Sequence, residues 1–345
     1  MLTRRDLVRS ALAGGAALLA APSLVRVASA FAAAPEMTDL TIFGVSDAQI
    51  SSQQIIASKK GFFADQGLNV TNKLIPSGPD IGPLIAGGSA PVSFETNITV
   101  ISVAANDVPA VIVGSLANIA GTQAVVGRKG LVLTSAKDLE GKKIGMVRGA
   151  GVLIAFRNMA KDLGVDLNKI QFINIAPADQ LAALDKGDID ALACWEPYIT
   201  KGIAIGGQFL FSGTLSALPD KTGDVHWMDF HTTVQVTKDF MSQNPETVSA
   251  MLAALQEATD FVNNNRDETL DILSGELQIE RPQLADMMNR NMYSMVVDDR
   301  FVQGSQTITD FMFELNNIPR KPALAEYVDF SALKRVDASL VQVPL

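Results

Sequence analysis

From Asp39 onward, short apolar runs rich in β-branched residues alternate with stretches of helical spacing. A run over 40–45 is followed by a helix over 49–60, a run over 70–75 and a short helix over 81–86. Strands alternating with helices predict right-handed βαβ units on a mostly parallel sheet, so the fold class is α/β. Gly61 and Gly67 punctuate the first helical region as helix ends, where a left-handed backbone suits glycine. Past Pro245 the apolar spacing becomes three and four, which predicts helices over 246–263, 266–273, 282–292 and 305–315. The tail over 321–345 is irregular and punctuated by proline.

Two segments repeat one order of elements. The first runs from the strand at 40–45 through Gly67, the turn Pro76-Ser77-Gly78-Pro79-Asp80, a short helix and Gly87-Gly88 to Ser93-Phe94-Glu95. The second runs from a strand over 143–147 through Gly164, Ala176-Pro177-Ala178-Asp179, a short helix and Lys186-Gly187-Asp188 to Cys194-Trp195-Glu196. Gly67 lies 13 positions before Asp80 and Gly164 lies 15 before Asp179, while the following intervals to Glu95 and Glu196 are 15 and 17. This repetition predicts two lobes of one architecture with a cleft between them. Residues 31–125 and 233–345 form the first lobe, with 126–232 inserted as the second. Extended runs over 123–128 and 232–236 serve as the crossings, and such a two-strand hinge permits closure round a ligand.

The first thirty residues change the picture from fold to address. Basic Thr3-Arg4-Arg5-Asp6-Leu7-Val8-Arg9, an apolar run over 11–19 and a small-residue end at Ala28-Ser29-Ala30 have the layout of a cleaved twin-arginine export signal. The run is far short of the roughly 20 apolar residues that span a bilayer. No cysteine near the cleavage point offers a lipid anchor, which predicts a soluble periplasmic protein. Cleavage leaves 315 residues and moves the net charge from -9 to about -12, an acidity unsuited to nucleic acid. Cys194 is the single cysteine, so stability comes from packing and not from an internal disulfide.

In parallel sheets ligands bind beyond the strand C-termini, which directs attention to the loops that follow each strand. Ser46, Asp47 and Gln49 follow the first strand, with Asp47 alternatively serving only as a helix cap. Glu95, Thr96 and Asn97 follow the third. Arg148, Gly149, Ala150 and Gly151 form a strand-to-helix turn whose free N–H groups suit an anionic head group, though the glycines alone would explain a tight turn. Trp195 and Glu196 end a strand before Pro197, where an indole covers a ligand face and a carboxylate holds an amine. Trp227 and Asp229 lie between His226 and His231 at the return crossing. Two histidines at that spacing do not make a metal site, and no metal or cofactor is expected. Cys194 reads as a buried strand residue, and Asp80 and Asp179 as helix caps outside the site.

Lys60-Gly61-Phe62-Phe63 with Gly67-Leu68, the run Asp138-Leu139-Glu140-Gly141-Lys142-Lys143-Ile144-Gly145, Ala182, Leu184, Gly187, Asp190 and Ala191, and Trp195-Glu196-Pro197-Tyr198 occur in an order that resembles a family. It is that of the ABC-transporter substrate-binding proteins for sulfonates, taurine, nitrate and thiamine-pyrimidine precursors. The resemblance implies a two-lobed type II periplasmic binding protein, monomeric and without chemistry of its own. It would close on a small organic ligand and hand it to an ABC permease with ATPase subunits. Ala150 stands where many relatives carry a hydroxyl, which weakens the case for a sulfonate. A small acid or sulfonate carrying an amine is the expected ligand, with Glu196 on the cation and residues 148–151 on the anion. The rival classes are a pyrimidine-forming or porphyrin-precursor enzyme on the same fold, whose cysteine motifs are missing here, and a sensory protein that presents its ligand to a receptor.

Overall fold

The computed structural model describes residues 33–344, so the export signal lies outside the described residues. Four strands open the chain: β1 (Asp39–Val45), β2 (Asn69–Ile75), β3 (Val92–Thr96) and β4 (Ala110–Asn118). Seven follow: β5 (Gln123–Gly127), β6 (Lys143–Met146), β7 (Gln171–Asn174), β8 (Ala191–Trp195), β9 (Gln208–Ser212), β10 (Leu215–Leu218) and β11 (Lys221–Asp224). The last two are β12 (His231–Thr237) and β13 (Met292–Tyr293). They form two sheets, ordered β13-β4-β12-β3-β1-β2 and β11-β10-β9-β5-β8-β6-β7.

Five strands in each sheet follow one plan. In the first, β2, β1 and β3 are parallel, and β12 then β4 continue antiparallel. In the second, β7, β6 and β8 are parallel, and β5 then β9 continue antiparallel. The repeated order of elements in the sequence is therefore a repeated sheet. The expectation of mostly parallel sheets is corrected: both are mixed, because each parallel trio borders an antiparallel strand supplied from outside the βαβ units.

The runs expected to cross between lobes do not cross. All five residues of β5 pair with β8, and all seven of β12 pair with β4, so neither strand spans two sheets. The chain passes between the sheets in the short connectors 119–122 and 225–230.

The elements match local chemistry closely. The helix Ser52–Lys60 ends on Gly61 at φ 80°, which lets Phe62–Asp65 turn back and bury Phe63. In the helix Pro245–Asn264, Val248, Met251, Leu252, Leu255, Ala258 and Val262 recur at three- and four-residue spacing and all are buried. The predicted helix over 282–292 stops earlier, at Asn289, because Met292 and Tyr293 pair with β4. Neither Asp80 nor Asp179 caps its helix by a side-chain hydrogen bond. Alternation along β5 and β8 sends Val125, Ala191 and Ala193 to the main core and Ala124, Val126, Leu192 and Cys194 to a second apolar cluster. Among the described residues no helix is long and apolar enough to cross a membrane.

Candidate functional site

The C-terminal ends of β1, β3, β6 and β8 open on one cavity of 640 Å³ between the two sheets. Asp47, Gln49, Glu95, Thr96, Arg148, Gly149, Ala150, Gly151 and Trp195 line it, so nine of the fourteen predicted site residues are brought together. Ser46, Asn97, Glu196, Trp227 and Asp229 do not line it.

Two acids dominate one end. Asp47 Oδ1 accepts the N–H groups of Gln49 (2.9 Å) and Ile50 (2.8 Å), which fixes the turn after β1. Enclosure by protein raises its pKa to about 6, against the pull of those two amides. Glu95 is 7% exposed, accepts the Thr96 N–H, and packs so closely on Gly78 that a Cβ there would collide with its Oε1. Desolvation lifts the Glu95 carboxyl to about 8, and the charge of Asp47 adds to the rise. Among the described residues neither acid has an ion-pair partner.

Across the cavity lies the turn after β6. The Arg148 N–H is taken by Asn174 Oδ1 (2.9 Å) and that of Ala150 by the Val147 carbonyl (3.0 Å). Gly149 sits at φ 80°, a left-handed backbone that favours glycine, while Gly151 has ordinary helical backbone and abuts Met228 and Phe230. The helix Val152–Leu163 starts from Gly151 without a side-chain cap, leaving its positive dipole end toward the cavity. The exposed Arg148 guanidinium makes no ion pair among the described residues. Trp195, half-buried at the end of β8, supplies an aromatic wall.

Gln49 lines the cavity, yet both ends of its amide are held by protein. Its Oε1 accepts the Thr122 hydroxyl and its Nε2 reaches the Glu196 carbonyl at 3.5 Å, which ties the two halves together.

The five outlying residues have other partners. Ser46 is exposed and its N–H caps the Ile75 carbonyl. Asn97 is fully buried and donates to Ser305 Oγ at 3.1 Å. Glu196 is 2% exposed, accepts both the N–H and the hydroxyl of Thr200 at 3.0 Å, and pairs with Arg290 at 2.8 Å. Burial raises its pKa despite Thr200 and Arg290. The carboxylate expected to meet a ligand amine is thus occupied by an internal guanidinium. Trp227 is buried edge-on against Phe211 and donates to Asp162 at 2.9 Å. Asp229 takes Asn118 and Arg300, both at 2.7 Å, and His226. Burial opposes its charge, but Arg300 and His226 outweigh that and hold the carboxyl below its ordinary range.

Replacing Glu196 with Gln keeps a hydrogen bond to Thr200 but breaks the pair with Arg290. Because Arg290 is a quarter exposed, the expected loss is about 1–2 kcal/mol of stability, below that of a fully buried pair. Ligand affinity should change by less than about threefold, as calorimetric titration and chemical denaturation of the same preparation would show.

Cys194 lies outside the cavity in the second apolar cluster, and burial pushes its thiol up to about 12, far from a nucleophile's range. His231 stacks on Phe301, and burial lowers its pKa to about 4. Among the described residues no group of three or more His, Cys, Asp or Glu is placed to hold a metal.

Gly78, Pro79, Gly82, Pro83, Thr99 and Gln123 line the cavity without having been foreseen. The turn over 76–80 precedes Glu95 at close to the spacing that the second segment repeats before Glu196, and that repetition is its signal in the sequence.

Known proteins resemble this chain in sequence and in fold. A Brucella abortus protein named only as a binding protein is 26% identical over 241 residues, covering 70% of this chain and 72% of its own. A Bacillus subtilis protein whose name assigns it to aliphatic sulfonates is 23% identical, covering 83% and 85%. An Aspergillus parasiticus enzyme, 4-amino-5-hydroxymethyl-2-methylpyrimidine phosphate synthase, is 26% identical over 60% of this chain and 61% of its own. The crystal structure of the periplasmic aliphatic sulphonate binding protein SsuA from Escherichia coli has the same fold, with a TM-score of 0.71 at 19% identity over 85% of this chain and 92% of that one. The nitrate-binding protein NrtA from Synechocystis gives 0.67 at 17% identity over 89% and 90%. The fold is thus that of the periplasmic binding proteins. The family model described as NMT1/THI5 like matches residues 51–269, from the helix after β1 through both sheets, and the chain belongs to that family.

Proposed function

We propose that this protein is the soluble periplasmic ligand-capturing component of an ABC importer, and that its ligand carries a cationic or N–H-donating nitrogen. The twin-arginine signal supplies the address. The two sheets are read as the lobes of a clamp that pivots in the connectors 119–122 and 225–230. Asp47 and Glu95 hold the nitrogen, and the turn over 148–151 with its helix end receives an acidic or acceptor group.

One observation carries the reading. Asp47 and Glu95 face the same cavity with no ion-pair partner among the described residues, so burial disfavours their charged forms until a ligand supplies positive charge. The role intended for Glu196 passes to these two acids. A binding protein is preferred over an enzyme of similar fold because neither Cys194 nor His231 lines the cavity: the first is buried in the second apolar cluster and the second packs on Phe301. The names of the relatives support transport of sulfonates or related acids, and an amine-bearing member of that chemistry satisfies both ends of the site.

Glu95, at about 8, keeps its proton in the free protein at neutral pH. A cation beside it lowers that value and expels the proton. Titration at pH 7 in buffers of different ionisation enthalpy should therefore report release of about one proton per ligand bound. Proton uptake, or none, would contradict placement of the nitrogen at Glu95.

A further inference from the structure

Two helical faces extend the cavity away from the acids. Along 78–86, the lining residues Pro79, Gly82, Pro83 and Ala86 recur at offsets of three, one and three. Along the helix Asn97–Ala105 and its cap, Thr99, Ser102, Val103 and Asn106 recur at the same offsets. Each set is one continuous stripe on its helix, the spacing by which a helix presents a single face. Both stripes begin beside Glu95: Gly78 packs on its carboxyl, and Asn97 follows it by two residues. Both end at exposed positions, Ala86 and Asn106.

The wall formed by Pro79, Gly82, Pro83 and Ala86 is apolar and carries no large side chain. Gly82 faces the second stripe: a Cβ there would stand 3.6 Å from Val103 and 3.9 Å from Thr99, so glycine leaves room for about a methyl group between the two walls. Size argues the same way. Cavities of about 300–1,000 Å³ enclose ligands of drug size, and a two-carbon amine would occupy a small part of 640 Å³.

We infer that the ligand is an amphiphile, whose nitrogen head lies at Asp47 and Glu95 and whose aliphatic or aromatic body runs along the groove between residues 79–86 and 99–106 toward the surface. The inference rests on the proposed head-group role of the two acids, and it adds the class of the remainder of the molecule. Thr99 and Ser102 place hydroxyls along one wall, so a body with an occasional polar substituent is accommodated.

The test titrates the mature protein with n-alkylamines and with n-alkanesulfonates, each from one to six carbons. Affinity in the amine series should rise about fourfold per methylene, the effect of burying one CH₂. Ala86→Trp, at an exposed position, should end that rise at a shorter chain, weakening hexylamine far more than methylamine. Ser102→Phe, on the facing wall, should do the same and guards against failure of one variant to fold. A flat series with Glu95-dependent methylamine binding would overturn the groove and leave the head assignment standing. A rise confined to the sulfonates would keep the groove and overturn the head assignment. No binding in either series would overturn both.

Discussion

Glu95→Gln is expected to weaken binding of an amine-bearing ligand about 100-fold, because it removes the carboxylate from a buried charge-assisted contact worth about 3 kcal/mol. Calorimetric titration of variant and parent checks this. The same change should help the free protein. A carboxyl raised to about 8 in the folded state, against about 4.5 when unfolded, binds more protons folded than unfolded between those values. Its contribution to stability is complete below about pH 4.5 and is lost as pH rises toward about 8. The melting temperature of the variant should accordingly exceed that of the parent by an amount that grows from pH 5 to pH 8 and then levels. Lower ligand affinity combined with higher stability is the signature of a group held in place for binding. A purely structural glutamate would lose both.

Asp229→Ala is expected to be the most destabilising change, about 2 kcal/mol or a fall of at least ~3 °C in melting temperature. The reason is its position in the connector 225–230. Its carboxylate gathers Asn118 at the end of β4, Arg300 from the helix Asp299–Glu314 and His226 from the connector itself. Truncation frees Arg300 and His226, both more than a third exposed, to water, but leaves Asn118 Nδ2 buried without its acceptor. Because its pKa is depressed, Asp229 contributes stability above the ordinary aspartate range and loses it as pH falls through the lower folded value. The difference between variant and parent should therefore shrink below about pH 4, which thermal melts across pH would reveal.

Much of this fold can be read from the chain because its determinants are local. Glycines at 61, 67, 164 and 187 with left-handed backbone mark the ends of helices and turns, and the repeated order of elements appears again as repeated sheet order. Strand direction was not local. That β5 pairs antiparallel with β8, about seventy residues away, follows from how the chain returns and leaves no trace in the pattern of 123–127. Strand-end parity defeated the assignment of Glu196. Successive side chains at a strand end face opposite ways, and once Trp195 takes the cavity, Glu196 must turn to Arg290, 94 positions further on. The acids that do face the cavity are both visible in the sequence, since Asp47 follows β1 and Glu95 stands near the end of β3. What was hidden was their lack of a partner, because an ion pair is a long-range fact. The groove was masked by composition. Pro79 reads as part of a turn and Gly82, Pro83 and Ala86 as a short helix, and six residues are too few for an apolar spacing to stand out.

The most direct test of a capture protein that grips a nitrogen is paired titration: taurine against isethionate and phenethylamine against 3-phenylpropionate, each followed by recovery of the bound compound. The structure predicts that the amine-bearing member of each pair binds at least about tenfold tighter and returns chemically unchanged. Equal or tighter binding of the partners without nitrogen, or consumption of the bound amine, would contradict it.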